Sequence, residues 1–270
     1  MLVRRGAHPE AFAWWLAAAA ATLYLPLGLY VLATAGLPSP GWPFVAATAV
    51  IHAFYFILLG RAYEHGDLGL VYPIARGTGP LLVPAIAVPL LGERLSPLGA
   101  LGIALIVVGV VTLGVGGFGP AALARLGEMA RLPAARYAFA TGVTIALYSV
   151  NDKAGVRWVS PFLYGYLLFA GASILAGPYF WLARREATLA CWRANRRSIL
   201  LAGLLSPLTY FLALLAFQLG PVSYLAPMRE LSIVIATLLG TVGLGEKFSR
   251  ARLLSAGLTA AGVVLIGLGA

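Results

Sequence analysis

Charge is what this sequence has least of. Of its 270 residues, 10% are Asp, Glu, Lys or Arg and 61% are hydrophobic, where ordinary soluble domains carry roughly 25% charged residues. So few charges cannot cover the surface of a water-soluble globule, and that class is excluded. Cysteine is nearly absent: Cys191 stands alone, so no internal disulfide can form. Histidine is scarce, with His8, His52 and His65 scattered along the chain, and neither HExxH nor GxSxG occurs. A metal triad or an activated nucleophile therefore has no visible basis. Strands of a membrane barrel would alternate apolar and polar residues over about ten positions, and no such pattern is present. Nothing resembles the filter loop or charge ring of a channel. An integral-membrane enzyme and a channel thus stand only as alternatives, and the sequence calls for no catalytic residue, metal or cofactor.

What is abundant is long apolar runs. They cover 11–33, 42–62, 68–91, 96–116, 134–153, 160–183, 198–218, 222–243 and 250–269. Each is near the roughly 20 residues that carry a helix across a hydrocarbon core of about 30 Å. In lipid a spanning segment must satisfy its own backbone, which selects helices. The expectation is an all-α polytopic membrane protein with nine visible spans. The first run, preceded by Arg4 and Arg5, is too long for a signal peptide, whose apolar core is about 7–15 residues.

The net charge of +10 sits mostly in short stretches between the runs, with Arg184, Arg185, Arg193, Arg196 and Arg197 clustered around Trp192. That placement speaks for anionic lipid and topology, and against nucleic acid. With alternate connections assigned to opposite sides, one side carries fourteen Lys and Arg and the other three: Arg94, Lys153 and Arg157. The positive-inside rule puts the richer side, with 61–67, 117–136, 184–198 and 246–252, in the cytoplasm.

Shifting the chain by 153 residues superposes landmarks without a gap. Arg76 falls on Arg229, GER (92–94) on GEK (245–247), VGVVTLGVG (108–116) on AGVVLIGLG (261–269) and VR (3–4) on VR (156–157). The halves are 1–116 and 134–270, joined by a linker at 117–133. One period holds five runs, and an odd number makes the halves enter the membrane from opposite sides. That is the inverted repeat of secondary transporters. Under the same shift, 134–153 lacks a counterpart before residue 1, so the first half shows four helices and the second five. We expect a first helix absent from this chain, with MLVRR, which aligns with AGVRW (154–158), as its tail. In the linker, Arg125, Glu128 and Arg131 recur opposite Leu123, Leu126 and Ala130, the pattern of a short interfacial helix.

Two such halves, each with a GE[RK] turn before a Gly-rich closing helix, resemble the drug/metabolite transporter superfamily, and its EamA-like branch above all. The resemblance covers essentially the whole chain. It implies ten helices, a central cavity between the halves, both termini cytoplasmic, and export or exchange of small metabolites. It thereby opposes the charge count on orientation. The superfamily's phosphate exchangers hold phosphate through basic residues on the fourth and ninth helices, the helices that carry Arg76 and Arg229.

An arginine deep in a span is costly unless it is paired or faces water, and guanidinium suits carboxylate or phosphate. The candidate substrate residues are Arg76, Arg229, Glu230, Tyr72, His52 and Tyr210. Snorkelling, or an ion pair that locks two helices, is the plainer reading of the arginines. Glu230, whose repeat mate is Gly77, either neutralises an arginine or carries a proton. Tyr72 lies four residues before Arg76 on the same helical face, and it, His52 and Tyr210 line a cavity or serve as packing. Asp152 and Lys153 are expected to form an interfacial pair, and Glu93 and Glu246 to cap or pin the helix that follows each. Intraspan Pro and Gly, including Pro73, Pro80, Pro84, Pro207 and Pro227, are hinges or close-packing sites. The reading is a secondary transporter of a small anionic or zwitterionic metabolite, multi-pass in the cell (inner) membrane. Its partners are the metabolite and the lipid bilayer, with a homodimer left open.

Overall fold

The structure is a computed structural model that describes residues 8–66, 68–238 and 250–270. The GEK turn, Arg4 and Arg5 lie outside the described residues. Every regular element among the described residues is a helix: α1 Pro9–Leu23, α2 Leu25–Ala35, α3 Trp42–His65, α4 Leu68–Leu91, α5 Pro97–Val115, α6 Pro120–Arg131, α7 Pro133–Gly155, α8 Pro161–Pro178, α9 Arg185–Leu219, α10 Val222–Met228, α11 Leu231–Leu238 and α12 Arg250–Gly269. A short 3-10 turn at Ser39–Gly41 precedes α3, and a π turn at Tyr179–Ala183 follows α8. Six of these elements are long and apolar enough to cross a membrane, or seven if the bent pair α1–α2 is one span. The chain is therefore a multi-pass membrane protein. Large apolar residues face outward, among them Leu90, Ile174, Leu182 and Leu219, as lipid contact requires.

Three expected spans look different in the structure. The run 11–33 is not straight: α1 and α2 meet at a 58° bend. Pro26, in the first turn of α2, lacks the N–H that would continue the α1 ladder. The stretch 184–198 is not a loop but the start of α9, a helix of 35 residues, about 52 Å at 1.5 Å per residue. That exceeds a membrane's thickness, so the exposed Arg185, Arg193, Arg196 and Arg197 at its start fall in the headgroup zone. The run 222–243 is broken after Met228. α7, by contrast, is helical over its expected length although too polar to count as a span by composition.

The chain packs as two units. Unit 1 comprises 1–64 and 151–219, and unit 2 comprises 65–150 and 220–270. Neither is a sequence half. Under the 153-residue shift, unit 1 contains the mates α1 with α8 and α3 with α9, and unit 2 contains α4 with α10–α11 and α5 with α12.

In unit 2, α5 begins at Ser96, whose hydroxyl accepts the Gly99 N–H, and ends at Gly116 in the left-handed region, φ 79°. Arg125 on α6 donates to the Val115 carbonyl at 3.4 Å, placing a cation on the negative end of α5. α5 and α12 run antiparallel at close range. A Cβ on Gly102 would lie 2.6 Å from the Gly262 carbonyl, and one on Gly109 would lie 2.8 Å from Thr259 Oγ1 and 2.9 Å from the Ser255 carbonyl. The shift maps the Gly102–Gly262 contact onto Ser255–Gly109. The packing is thus its own repeat image, as expected of mates that cross in opposite senses. Glu93 caps a helix, though not the next one. Its carboxylate accepts the Val222 and Ser223 N–H groups, each at 2.8 Å, at the start of α10.

In unit 1, the Trp14 indole donates to the Ser173 carbonyl, Trp15 to Thr188 and the Tyr24 hydroxyl to Leu204. These bonds tie α1 to α8 and α9. Gly60 lets α3 meet the backbone of Glu10, and Gly203 lets α9 meet Ala19 and Ala20, the small-residue packing of helices in lipid.

Candidate functional site

The six candidate residues fall into two sets, one in each unit. In unit 2, α4 runs unbroken through Pro73, Pro80, Pro84 and Pro89 and carries Tyr72 and Arg76 on one face. Its mate is interrupted. Pro227 has no N–H for the Ser223 carbonyl, and the chain tightens through Arg229 N–H to Ala226 and Glu230 N–H to Pro227 before α11 starts. Into this break projects Glu230, 2% exposed. Arg76 Nε lies 3.2 Å from Glu230 Oε2, in an ion pair without hydrogen-bond alignment. Arg76 also donates to the Ser232 hydroxyl at 3.5 Å, and its guanidinium stands 5.7 Å from the Tyr72 ring centre. Arg229, half-buried, acts on Glu230 through its charge. Among Asp, Glu, Lys, Arg and His, α4 and the stretch 222–238 hold these two arginines and one glutamate alone.

In unit 1, His52 and Tyr210 come together around a residue assigned elsewhere by the sequence reading. Asp152 is fully buried rather than interfacial. It does not pair with Lys153, whose ammonium donates to the Phe217 carbonyl. Tyr164 donates to Asp152 Oδ1 at 2.8 Å, and Tyr210 donates to Oδ2. The Asn151 amide lies 2.9 Å from the Tyr164 hydroxyl and 2.9 Å from the Phe44 carbonyl. His52 stacks edge-on against Tyr210 at 5.7 Å and holds the Thr48 carbonyl at 3.0 Å through Nδ1. The same nitrogen lies 3.1 Å from the Thr48 hydroxyl. Asn151 and Asp152 are polar residues inside an apolar helix, a signal that was visible. Their tyrosine partners, 12 and 58 residues from Asp152, were not.

A third polar set in unit 1 closes helix ends. Glu10, fully buried, meets Arg184 at 2.9 Å and Arg61 at 3.7 Å, while Glu64 meets Arg184 at 3.1 Å and Arg61 at 3.5 Å. Tyr179 donates to Glu10 and accepts from Arg61. Its two acids and two bases balance, which suits a lock between α1, α3 and the turn after α8. Among the described residues no group of three or more His, Cys, Asp or Glu could hold a metal ion.

The EamA-like transporter family model matches residues 1–115 and again 132–268. The chain belongs to that family. It is a membrane transporter and not an enzyme, with a small-molecule substrate and a lipid surround. The nicotine metabolites export pump subunit NepA of Paenarthrobacter nicotinovorans is 36% identical over 95 residues, 34% of this chain and 82% of the relative. A solved crystal structure matches 98% of this chain and 91% of its own with a TM-score of 0.70 at 20% identity, which shows a shared fold.

Proposed function

We propose that this protein is a secondary transporter that exports a small anionic or zwitterionic metabolite from the cell by alternating access, with Arg76 and Arg229 holding the substrate's anionic group. The observation that carries the reading is the break in the second-half helix at Arg229 and Glu230, where Arg76 also converges. Discontinuous helices mark substrate sites in inverted-repeat transporters. Guanidinium groups present paired donors that match a carboxylate or phosphate, and this break and the helix that faces it supply two of them, Arg229 and Arg76. Export is favoured by the relative described as an export pump subunit, a description that keeps assembly with a second chain, a homodimer included, within the proposal. The inner membrane and the interleaved repeat mates of each unit fit the same picture.

The test is counterflow in proteoliposomes loaded with labelled amino acids, dicarboxylates, sugar phosphates and, as a control, alkylamines. Saturable exchange of an anionic or zwitterionic compound is expected. Exchange confined to the amines would refute the anion site, and flux that never saturates would refute a carrier.

A further inference from the structure

The carboxylate of Asp152 has no task in anion binding, yet it stands at the centre of a polar cluster. It is fully buried, and both its oxygens are occupied by neutral groups. Tyr164 from α8 donates to Oδ1 at 2.8 Å, Tyr210 from α9 donates to Oδ2, and Asn151 approaches Oδ1 at 3.4 Å from its own helix. From α3 the Thr48 hydroxyl faces the carboxylate, and behind it lies His52, whose Nδ1 is 3.1 Å from that hydroxyl. Lys153, next in the chain, directs its ammonium to the Phe217 carbonyl. Among the described residues no cation lies within ion-pair distance of Asp152. An acid inside a membrane is normally paired with a base, and those that are not recur in proton relays. Compare Glu230, which has Arg76 at 3.2 Å, and Glu10, which has two arginines.

We propose that Asp152 is a reversible proton-binding site of the transporter, with Tyr210 as the group that passes the proton in and out. Tyr210 and Asn151 are half-buried, so the route to water runs through them. On loading, Tyr210 gives its hydroxyl hydrogen to Oδ2 and takes a proton from the water side, so the carboxylate becomes a carboxylic acid and the tyrosine stays neutral. The new carboxyl O–H donates to the Tyr210 oxygen, whose replacement hydrogen points away. One O–H bond has formed on Asp152, the Tyr210 O–H has been broken and remade, and the cluster's charge rises by one. Release is the reverse. The proposal rests on the transporter reading only for its consequence, which is that one proton taken up and released per cycle couples export to a proton gradient.

Proton binding at Asp152 can be read without any transported substrate. Full-length protein in lipid is titrated through the physiological pH range while infrared difference spectra record the C=O band of protonated carboxyls. The wild type is expected to gain such a band reversibly on acidification. Asp152→Asn should lack it and Glu230→Gln should retain it. Tyr210→Phe should keep the band at a shifted frequency, because the carboxyl has lost a hydrogen-bond partner. A wild type without the band, a band that survives Asp152→Asn, or one abolished by Glu230→Gln alone overturns the proposal. Should Asp152→Asn fail to fold, Tyr210→Phe decides: a band of unchanged frequency overturns the assignment to Asp152.

Discussion

α4 and α10–α11 are the same piece of sequence used twice, and they have diverged at the point that matters. α4 stays helical through four prolines, while its mate breaks at one, Pro227. A proline alone therefore does not decide where a helix breaks. The first half has Gly77 where the second has Glu230, and Glu230 lies in the break and pairs with Arg76. At Gly77 a Cβ would sit 3.6 Å from Val110, an ordinary contact, so the glycine is not there for lack of space. The lesson is that a duplicated arginine was kept while a carboxylate was added on one side only. That asymmetry makes Arg76 the structurally committed arginine and Arg229 the one whose loss disturbs packing less.

The largest effect is expected at the arginines. Arg76→Gln leaves the buried Glu230 without its partner and is expected to cost about 3 kcal/mol, the lower end for removing one member of a buried pair because Arg76 is partly exposed. Arg229→Gln should cost less, and Glu230→Gln combined with Arg76→Gln should recover most of the loss. Thermal or denaturant unfolding in detergent reads all three, and equal costs for the two arginines would erase the asymmetry.

A smaller effect sharpens the repeat itself. Glu93→Ala removes the acceptor for two N–H groups at the start of α10 and should cost about 1 kcal/mol. Under the 153-residue shift its repeat mate in the sequence is Glu246. Glu246→Ala should therefore cost about as much in the same unfolding assay, and no effect would limit the repeat to the spans. Smallest of all is Gly77→Ala, expected to change stability by less than about 0.5 kcal/mol. A larger loss would show that the first half depends on its glycine.

Much of this was legible in the chain. Hydropathy marked the helices because lipid admits little else, and the 153-residue shift found Arg76 and Arg229 because duplication leaves matched charges, with Glu230 standing out as the charge that has no mate. The α9 extension could also have been read, since no Gly or Pro interrupts Arg185 to Ala202. The bend after α1 hung on Pro26 alone, in a chain with 17 prolines, most of them harmless. Asp152 was misplaced because a charged pair at a helix end resembles an interface, and nothing local reveals that Tyr164 and Tyr210 fold onto it. Glu93 was read as a cap correctly in kind. Its target lay 129 and 130 residues away, beyond any short-range pattern.

The most direct test sets transport beside stability for Arg229→Gln and Arg229→Lys. Take the compound that shows saturable counterflow with the wild type and measure its exchange in proteoliposomes together with the unfolding temperature of each variant. Arg229→Gln should unfold near the wild type while exchange falls at least about tenfold, the equivalent of 1.4 kcal/mol of binding. Arg229→Lys should recover only part of it, because the planar fork is lost. Normal exchange in an Arg229→Gln protein that is clearly less stable would make the arginine a helix lock and contradict the anion site.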